Sequence, residues 1–379
     1  MSGPGTRVAA MSTVTPFRLA VPGGVLSDLH RRLRATRFLP DAPGRPPSGM
    51  TADYLQELVA SWLALDWRAR ESWLNAHPQF LADVDGTAIH FAHLRSARAD
   101  APAVLVMHGW PHTFALQLAF ADLLPDMHVV VASLPGFAFS GTYDGPMTET
   151  RLATTFHTLM TDVLGYDRYL TYGEDVTANV SDLIAATYPG SVRGILVTHA
   201  HFGTTEERTR APEPEVRAYF ERLAARHEPD GAYGHVQATR PDTLAAALND
   251  SPAGLLAWLV EKLVEWSDTP PGDPRAVERR ISRERLLTEA MIYWVTQSIG
   301  TSFRPYFEGA DQPGRIPPVE VPAVVHIQRH EHDYPEAHAR RFYRDLRAFE
   351  RLAQGGHFTA AEVPDALADR LRAFEASLP

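Results

Sequence analysis

The chain contains 379 residues, of which 45% are hydrophobic and 22% are charged, and this composition is typical of a soluble globular protein. Its formal net charge is −10 and no run of Lys or Arg stands out, which argues against nucleic acid and anionic membranes as partners. It contains no cysteine, which excludes disulfides, thiolate nucleophiles and cysteine-ligated metals.

The N-terminal part of the chain predicts a tail followed by helices. Residues 1–15 are small, polar and interspersed with Gly and Pro, and we expect a disordered tail. Residues 16–40 carry apolar side chains at helical spacing, with Leu29 and Leu33 on one face, which predicts an amphipathic helix. Two more helical patterns follow without a sheet of their own. Residues 16–82 are therefore expected to form a helical segment that wraps the next domain.

Targeting and metal-binding patterns are not recognisable in the sequence. No basic segment followed by an apolar core begins the chain, so we expect no signal peptide. No stretch reaches the roughly 18 consecutive apolar residues of a membrane-spanning helix. The 17 histidines show no HExxH or comparable ligand spacing, so we expect no metal site. Together with the lack of cysteine, these features favour a cytoplasmic location.

Short apolar runs alternate with helical patterns from residue 83 onward. The runs that predict buried strands are 103–107, 128–132, 169–172, 194–198 and 321–327. Their alternation with helices predicts an α/β protein with a doubly wound, mostly parallel sheet, formed by residues 83–204 and 318–379. Residues 205–317 are mostly helical. We expect them to form a lid over the carboxyl ends of the strands, where open α/β sheets bind ligands.

One stretch joins a predicted strand to a predicted helix through a tight turn with a carboxylate at its tip. The sequence of residues 172–179 is YGEDVTAN, and Asp175 stands where a nucleophile elbow exposes its nucleophile above the sheet. The usual elbow carries Ser at this point. An Asp that caps a helix is the alternative interpretation, so the prediction depends on the rest of the chain.

Two loops follow predicted strands at the positions where a hydrolase with a nucleophile elbow has its oxyanion hole and its base. His108-Gly109-Trp110-Pro111 follows the strand 103–107, and the backbone N–H groups of Trp110 and Val176 are the predicted oxyanion donors. Gly355-Gly356-His357 follows the last predicted strand, and His357 stands at the position of the base. The order of nucleophile, acid and His along the chain is that of the α/β hydrolases.

The sequence leaves open which carboxylate orients His357 and whether two tyrosines of the predicted lid take part in the chemistry. Glu331 follows the strand 321–327, as the orienting carboxylate of a hydrolase does, but Asp333 is close enough to compete. The lid contains Tyr233 and Tyr306, which by spacing alone are typical of core aromatics.

These ordered stretches together resemble the microsomal-type epoxide hydrolases, including their separate N-terminal segment. The matching stretches are residues 16–19, 28–33, 36–38, 108–111, 134–137, 237–244, 247–255, 293–294, 302–306 and 355–358. The resemblance covers residues 16–379 and implies an α/β-hydrolase fold. It also implies five catalytic residues, namely Asp175 as nucleophile, His357 as base, Glu331 as acid, and Tyr233 and Tyr306 as proton donors. One departure is Val176-Thr177, where the family has Trp-Gly, and a β-branched Thr is expected to crowd the turn.

The resemblance implies hydrolysis of a small hydrophobic epoxide to a vicinal diol through an ester on Asp175, with water as the second reactant. No metal or organic cofactor is required, no membrane anchor is expected, and a homodimer is left open. A haloalkane dehalogenase shares the Asp–His chemistry and is one alternative, since Trp110 offers an indole N–H for a halide. A non-catalytic ligand-binding protein of the same fold is the other. The occupied nucleophile, base and acid positions argue against it.

Overall fold

A computed structural model describes residues 13–45, 48–203, 205–211, 213–308, 316–331 and 333–379. Within these residues one sheet contains nine strands. The strands are β1 (Val14–Phe17), β2 (Gln79–Val84), β3 (Thr87–Leu94), β4 (Ala103–Met107), β5 (His128–Ala132), β6 (Tyr169–Gly173), β7 (Val192–Val197), β8 (Val319–Ile327) and β9 (Tyr343–Arg351). The order across the sheet is β1-β2-β3-β5-β4-β6-β7-β8-β9.

The sheet has an antiparallel edge and a parallel centre. The pairs β1–β2, β2–β3 and β3–β5 are antiparallel, whereas every pair from β5 to β9 is parallel. Every residue of β4, β5 and β6 is buried, as expected for strands covered on both faces. The prediction of a mostly parallel α/β sheet is confirmed.

The described residues also contain 16 α-helices. They are α1 (Gly23–Arg34), α2 (Ala52–Ala64), α3 (Trp67–Ala76), α4 (Phe114–Asp122), α5 (Glu149–Thr158), α6 (Val176–Thr187), α7 (Thr205–Arg210), α8 (Pro214–Asp230), α9 (Ala232–Thr239), α10 (Pro241–Asp250), α11 (Pro252–Glu265), α12 (Arg283–Thr296), α13 (Arg304–Glu308), α14 (Glu336–Phe342), α15 (Thr359–Glu362) and α16 (Pro364–Ala376). In the described part of the chain, no helix combines the length and apolar character needed to cross a membrane.

The N-terminal segment differs from the purely helical one that was expected. Val14–Phe17 is a strand paired with β2, so this segment adds two antiparallel strands to the edge of the sheet. The strand begins inside the stretch expected as a tail, and residues 1–12 lie outside the described residues. The helix expected over residues 16–40 covers only Gly23–Arg34. A strand of only four residues is too short to show a clear alternation of apolar and polar side chains, and Pro16 argues against a strand at all except at an edge. The strand forms because it pairs with β2, which is distant in the chain.

A helical pair in the segment between β7 and β8 packs against α1, α2 and α4. The helices α11 and α12 pack against each other, and Leu255, Leu259 and Met291 of this pair are buried. The hydroxyl of Ser251 accepts a 3.0 Å hydrogen bond from the Gly254 amide and so caps α11. Helix α11 leads directly into Trp266, whose carbonyl oxygen accepts a 2.9 Å hydrogen bond from the His357 amide in the loop after β9.

Candidate active site

The turn after β6 places a carboxylate at the carboxyl edge of the sheet. Only Glu174 and Asp175 separate β6 from α6, and Asp175 has φ 56° and ψ −132°. A positive φ is uncommon for a residue with a side chain and stores about 1–3 kcal/mol of strain. The amide of Trp110 donates a 3.2 Å hydrogen bond to Asp175 Oδ1. The turn therefore has the sharp form of a nucleophile elbow, with its carboxylate aimed at the loop after β4.

Thr177 fits the turn that it was expected to crowd. Its hydroxyl accepts a 3.0 Å hydrogen bond from the Glu174 amide and lies 3.0 Å from the carbonyl oxygen of Met107. Thr177 is fully buried, so these bonds form away from water. The hydroxyl ties the elbow to β4, which offsets the steric disadvantage of a β-branched side chain.

An imidazole and a second carboxylate face Asp175 from the other half of the core. His357 Nε2 lies 3.3 Å from Asp175 Oδ2, and His357 Nδ1 lies 3.0 Å from Glu331 Oε1. The side chain of Asp333 is 76% exposed and forms ion pairs with Arg222 and Arg351 instead. The geometry therefore places Glu331, and not Asp333, against the imidazole.

The two carboxylates stabilise the charged form of the imidazole. Burial by itself lowers the pKa of His357, but its contacts with Asp175 and Glu331 outweigh burial and raise the pKa to about 10. Burial likewise tends to raise the pKa of Asp175, yet His357 and the amides of Val176 and Trp110 lower it overall. The resting site therefore holds an imidazolium between two anions.

Two phenols of the lid face the carboxylate across the cavity. The ring of Tyr233 stacks on Trp110 at 5.2 Å and lies 5.8 Å from the ring of Tyr306. Burial, followed by the charge of Asp175, raises the pKa of Tyr233. Burial and the neighbouring Tyr233 raise the pKa of Tyr306 as well. Both side chains therefore remain protonated phenols, which can donate a hydrogen bond or a proton.

A histidine that the sequence did not single out lies beside the base. His199 Nε2 is 3.2 Å from His357 Nδ1 and 3.7 Å from Glu331 Oε1. Burial and the charge of His357 lower the pKa of His199 to about 4, so it is neutral at neutral pH. His199 follows β7, and its position at the carboxyl end of a central strand was the available signal.

A buried carboxylate next to Asp175 was also missed by the sequence analysis. Glu174 is 1% exposed and accepts four hydrogen bonds, from His112 Nε2 (3.1 Å), Gln117 Nε2 (3.1 Å), the Tyr172 hydroxyl (2.7 Å) and the Ala360 amide (2.8 Å). Burial would raise its pKa, but these partners lower it to about 2. Glu174 thus connects the elbow, the oxyanion loop and the loop that carries His357.

A cavity of about 260 Å³ joins these groups. Its walls come from the core and from the lid, and they combine apolar side chains with the ionisable groups described above. The lining residues are Trp110, Phe137, Glu149, Asp175, Val176, Asn179, His199, Phe202, Tyr233, Pro305, Tyr306 and His357. Glu331 is not among the lining residues, and it contacts the cavity residues His357 and His199.

One set of side chains near the cavity has the spacing of metal ligands. Among the described residues, the ligand atoms of His199, Glu331 and His357 all lie within 4.8 Å of one another. His357 Nδ1 contacts Glu331, and His357 Nε2 faces Asp175. Contacts between the imidazole and these two carboxylates therefore account for the short distances without a metal ion.

Known proteins resemble this chain in sequence and in fold. The family "Epoxide hydrolase N terminus" matches residues 14–116. A relative from Stigmatella aurantiaca that carries an epoxide hydrolase name is 33% identical over 95% of this chain and 84% of its own length. Epoxide hydrolase 1 of Sus scrofa is 29% identical over 98% of this chain and 91% of its own. The solved structure of Aspergillus niger epoxide hydrolase superposes with a TM-score of 0.84 at 27% identity and covers 98% of both chains.

The similarity therefore extends over nearly the whole chain and includes the N-terminal segment, the sheet and the lid. It accompanies a cavity in which an elbow carboxylate, an imidazole and two phenols meet. By sequence and by fold, the chain belongs to the microsomal-type epoxide hydrolases, enzymes of the α/β-hydrolase fold.

Proposed function

We propose that the enzyme opens an epoxide to a vicinal diol through a covalent ester on Asp175, which water activated by His357 then hydrolyses. The observation that carries this proposal is the position of Asp175 in the cavity, 3.3 Å from His357 and facing Tyr233 and Tyr306. We also propose that residues 205–317 act as the lid of a core formed by residues 83–204 and 318–379, with residues 16–82 packed against it.

The first step is attack by a carboxylate on an epoxide carbon. A carboxylate is ionised at neutral pH and needs no base to activate it. Asp175 Oδ1 is held by the Trp110 amide, so Oδ2 is the oxygen that forms the new C–O bond. The epoxide C–O bond breaks, and its oxygen takes a proton from the phenol pair of Tyr233 and Tyr306. The product of this step is an alkyl ester of Asp175.

The second step is hydrolysis of that ester. Formation of the ester removes the negative charge beside His357, which lowers the pKa of the imidazole and favours its neutral form. The proton that His357 releases restores the phenol that protonated the epoxide oxygen. Neutral His357 takes a proton from water while the water oxygen attacks the ester carbonyl, and Glu331 stabilises the resulting imidazolium. The amides of Trp110 and Val176 stabilise the tetrahedral oxyanion by about 3 kcal/mol per donor. The C–O bond between the acyl carbon and the diol oxygen then breaks, and this oxygen takes the proton of the imidazolium. The Asp175 carboxyl group that is left returns its proton to His357, which restores the starting state of the site.

Oxygen labelling tests the covalent route. With enzyme in excess over styrene oxide in ¹⁸O-water, we expect an unlabelled diol, because its new oxygen comes from Asp175. Mass spectrometry of the elbow peptide is then expected to show one ¹⁸O in the Asp175 carboxylate, where the water oxygen replaces the one that was lost. A labelled diol together with an unlabelled Asp175 would mean that water attacks the epoxide directly.

Product analysis with an epoxide and a bromoalkane separates the alternative functions. A haloalkane dehalogenase would release halide from a bromoalkane and form no diol from styrene oxide. A binding protein without activity would retain the epoxide unchanged. The phenol pair favours the epoxide, because a departing alkoxide needs a proton whereas a departing halide does not.

The lid phenols are expected to govern the alkylation step. We predict that Tyr233→Phe and Tyr306→Phe each slow single-turnover alkylation by about 10²-fold, because each removes a donor to the developing alkoxide. The double variant is expected to be slower than either. Rapid quench of the ester intermediate measures this rate constant directly.

Tyr188→Phe is the control, because the hydroxyl of Tyr188 contacts Thr154 at the surface, away from the cavity. If alkylation in the double tyrosine variant is as fast as in this control, the phenols do not donate the proton.

A further inference from the structure

Two polar side chains of the cavity wall have no part in the proposed mechanism. Glu149 begins α5, Asn179 lies in α6, and both line the cavity that contains Asp175. Asn179 Nδ2 donates a 2.9 Å hydrogen bond to Glu149 Oε1. The other lining residues are apolar or belong to the acid–base groups around Asp175. The pair therefore forms a separate polar patch on the wall.

Glu149 lies in the first turn of α5, where a carboxylate is favourable, but it does not cap the helix and it lines the cavity. The side chain of Thr148 already caps α5, since its hydroxyl accepts a 3.1 Å hydrogen bond from the Arg151 amide. The pKa of Glu149 is raised overall. Burial is the main cause and the charge of Asp175 adds to it, whereas the hydrogen bond from Asn179 acts in the opposite direction. A carboxyl group that loses hydration beside an apolar cavity is costly unless a polar group faces it. Asn179 supplies one hydrogen bond, and a polar group of a ligand in the cavity can supply another.

We infer that Glu149 and Asn179 form a subsite for a hydroxyl group of the substrate, so that the enzyme acts on epoxides that also carry an alcohol. This inference rests on the proposed function, because it concerns the same cavity. A hydroxyl can donate to the Glu149 carboxylate and accept from the second amide hydrogen of Asn179. An ammonium group is a poorer match, since the charge of Asp175 in the same cavity would attract it to the nucleophile.

The helix sets the distance between the two ends of such a substrate. Asn179 lies in the first turn of α6, about one helical turn beyond Asp175, and its amide contacts Glu149 of α5. An epoxide carbon in contact with Asp175 and a hydroxyl in contact with Glu149 must therefore be separated by a few methylene groups. The preference for the alcohol is expected to depend on chain length and to peak at one length.

A series of terminal epoxides tests this expectation. The probes are 1,2-epoxyalkanes from epoxybutane to epoxyoctane and the matching epoxyalkanols with a hydroxyl at the far end. At the best length we expect kcat/KM for the alcohol to exceed that for the alkane by at least about 10-fold. In Glu149→Gln and Asn179→Ala this ratio is expected to fall by about 10-fold at that length.

Glu215→Gln is the matched control, because Glu215 occupies the first turn of α8 and is exposed. Its ratio is expected to equal that of the wild type. Two results would overturn the subsite and leave the proposed function intact. One is diol formation with no preference for the alcohol at any length. The other is a preference for the alcohol that both Glu149→Gln and Asn179→Ala retain. A failure to form diol from every probe would instead overturn the proposed function.

Discussion

The Asp175→Asn variant is expected to lose steady-state diol formation by at least about 10³-fold. The amide is a poor nucleophile, and the substitution also removes one of the two anions that hold His357 in its charged form. The inactive enzyme should still fold, because Asn is nearly isosteric with Asp and can keep the hydrogen bond from the Trp110 amide. Chiral chromatography of the diol and circular dichroism measure the two properties.

The exposed Asp167→Asn variant is the control, since it makes the same chemical change in the loop before β6. Deamidation of the substituted side chain back to Asp would restore activity slowly, so the mass of the elbow peptide must be followed together with turnover. Wild-type turnover by a protein whose elbow peptide still carries the substitution would rule out Asp175 as the nucleophile.

The His357→Gln variant is expected to stop after the first step and to accumulate the ester. Attack by Asp175 does not require a base, whereas hydrolysis requires His357 to take a proton from water. We expect one equivalent of epoxide to be consumed and the mass of the intact protein to increase by the mass of the substrate. Steady-state turnover should fall by at least about 10³-fold.

The experiment is best done at mildly alkaline pH, because loss of the imidazolium raises the pKa of Asp175. His235→Gln is a suitable control, since His235 is exposed on the lid helix α9. Rapid turnover without an adduct would show that another group activates the water. His199 would then be the first candidate, because its Nε2 lies 3.2 Å from His357 Nδ1.

Features that lie within one local stretch are the ones that can be recognised from the sequence. The elbow sequence around Asp175 and the loops around Trp110 and His357 each follow a buried apolar run, and such runs are visible without a structure. The order of the loops along the chain predicted which strand ends would meet. The alternation of strands and helices likewise predicted the parallel centre of the sheet, and the structure confirms it.

Choices between nearby candidates depended on contacts across the chain. Glu331 and Asp333 are two residues apart and cannot be distinguished by pattern, but only Glu331 reaches the imidazole. The sequence also predicted a crowded turn at Thr177, whereas its hydroxyl bonds to backbone on a neighbouring strand. In each case the deciding partner is distant in sequence.

The sequence by itself determined the alternation of strands and helices, a carboxylate in the turn that follows a strand and the order of the loops, because local periodicity and turn chemistry encode burial and chain reversal. Only the tertiary structure decided that Val14–Phe17 joins the sheet, that His199 and Glu174 lie beside the catalytic groups and that Glu149 meets Asn179 in the cavity. These contacts form where separate strand ends and helices converge at one edge of the sheet, and their hydrogen bonds depend on distances that no local stretch of sequence specifies.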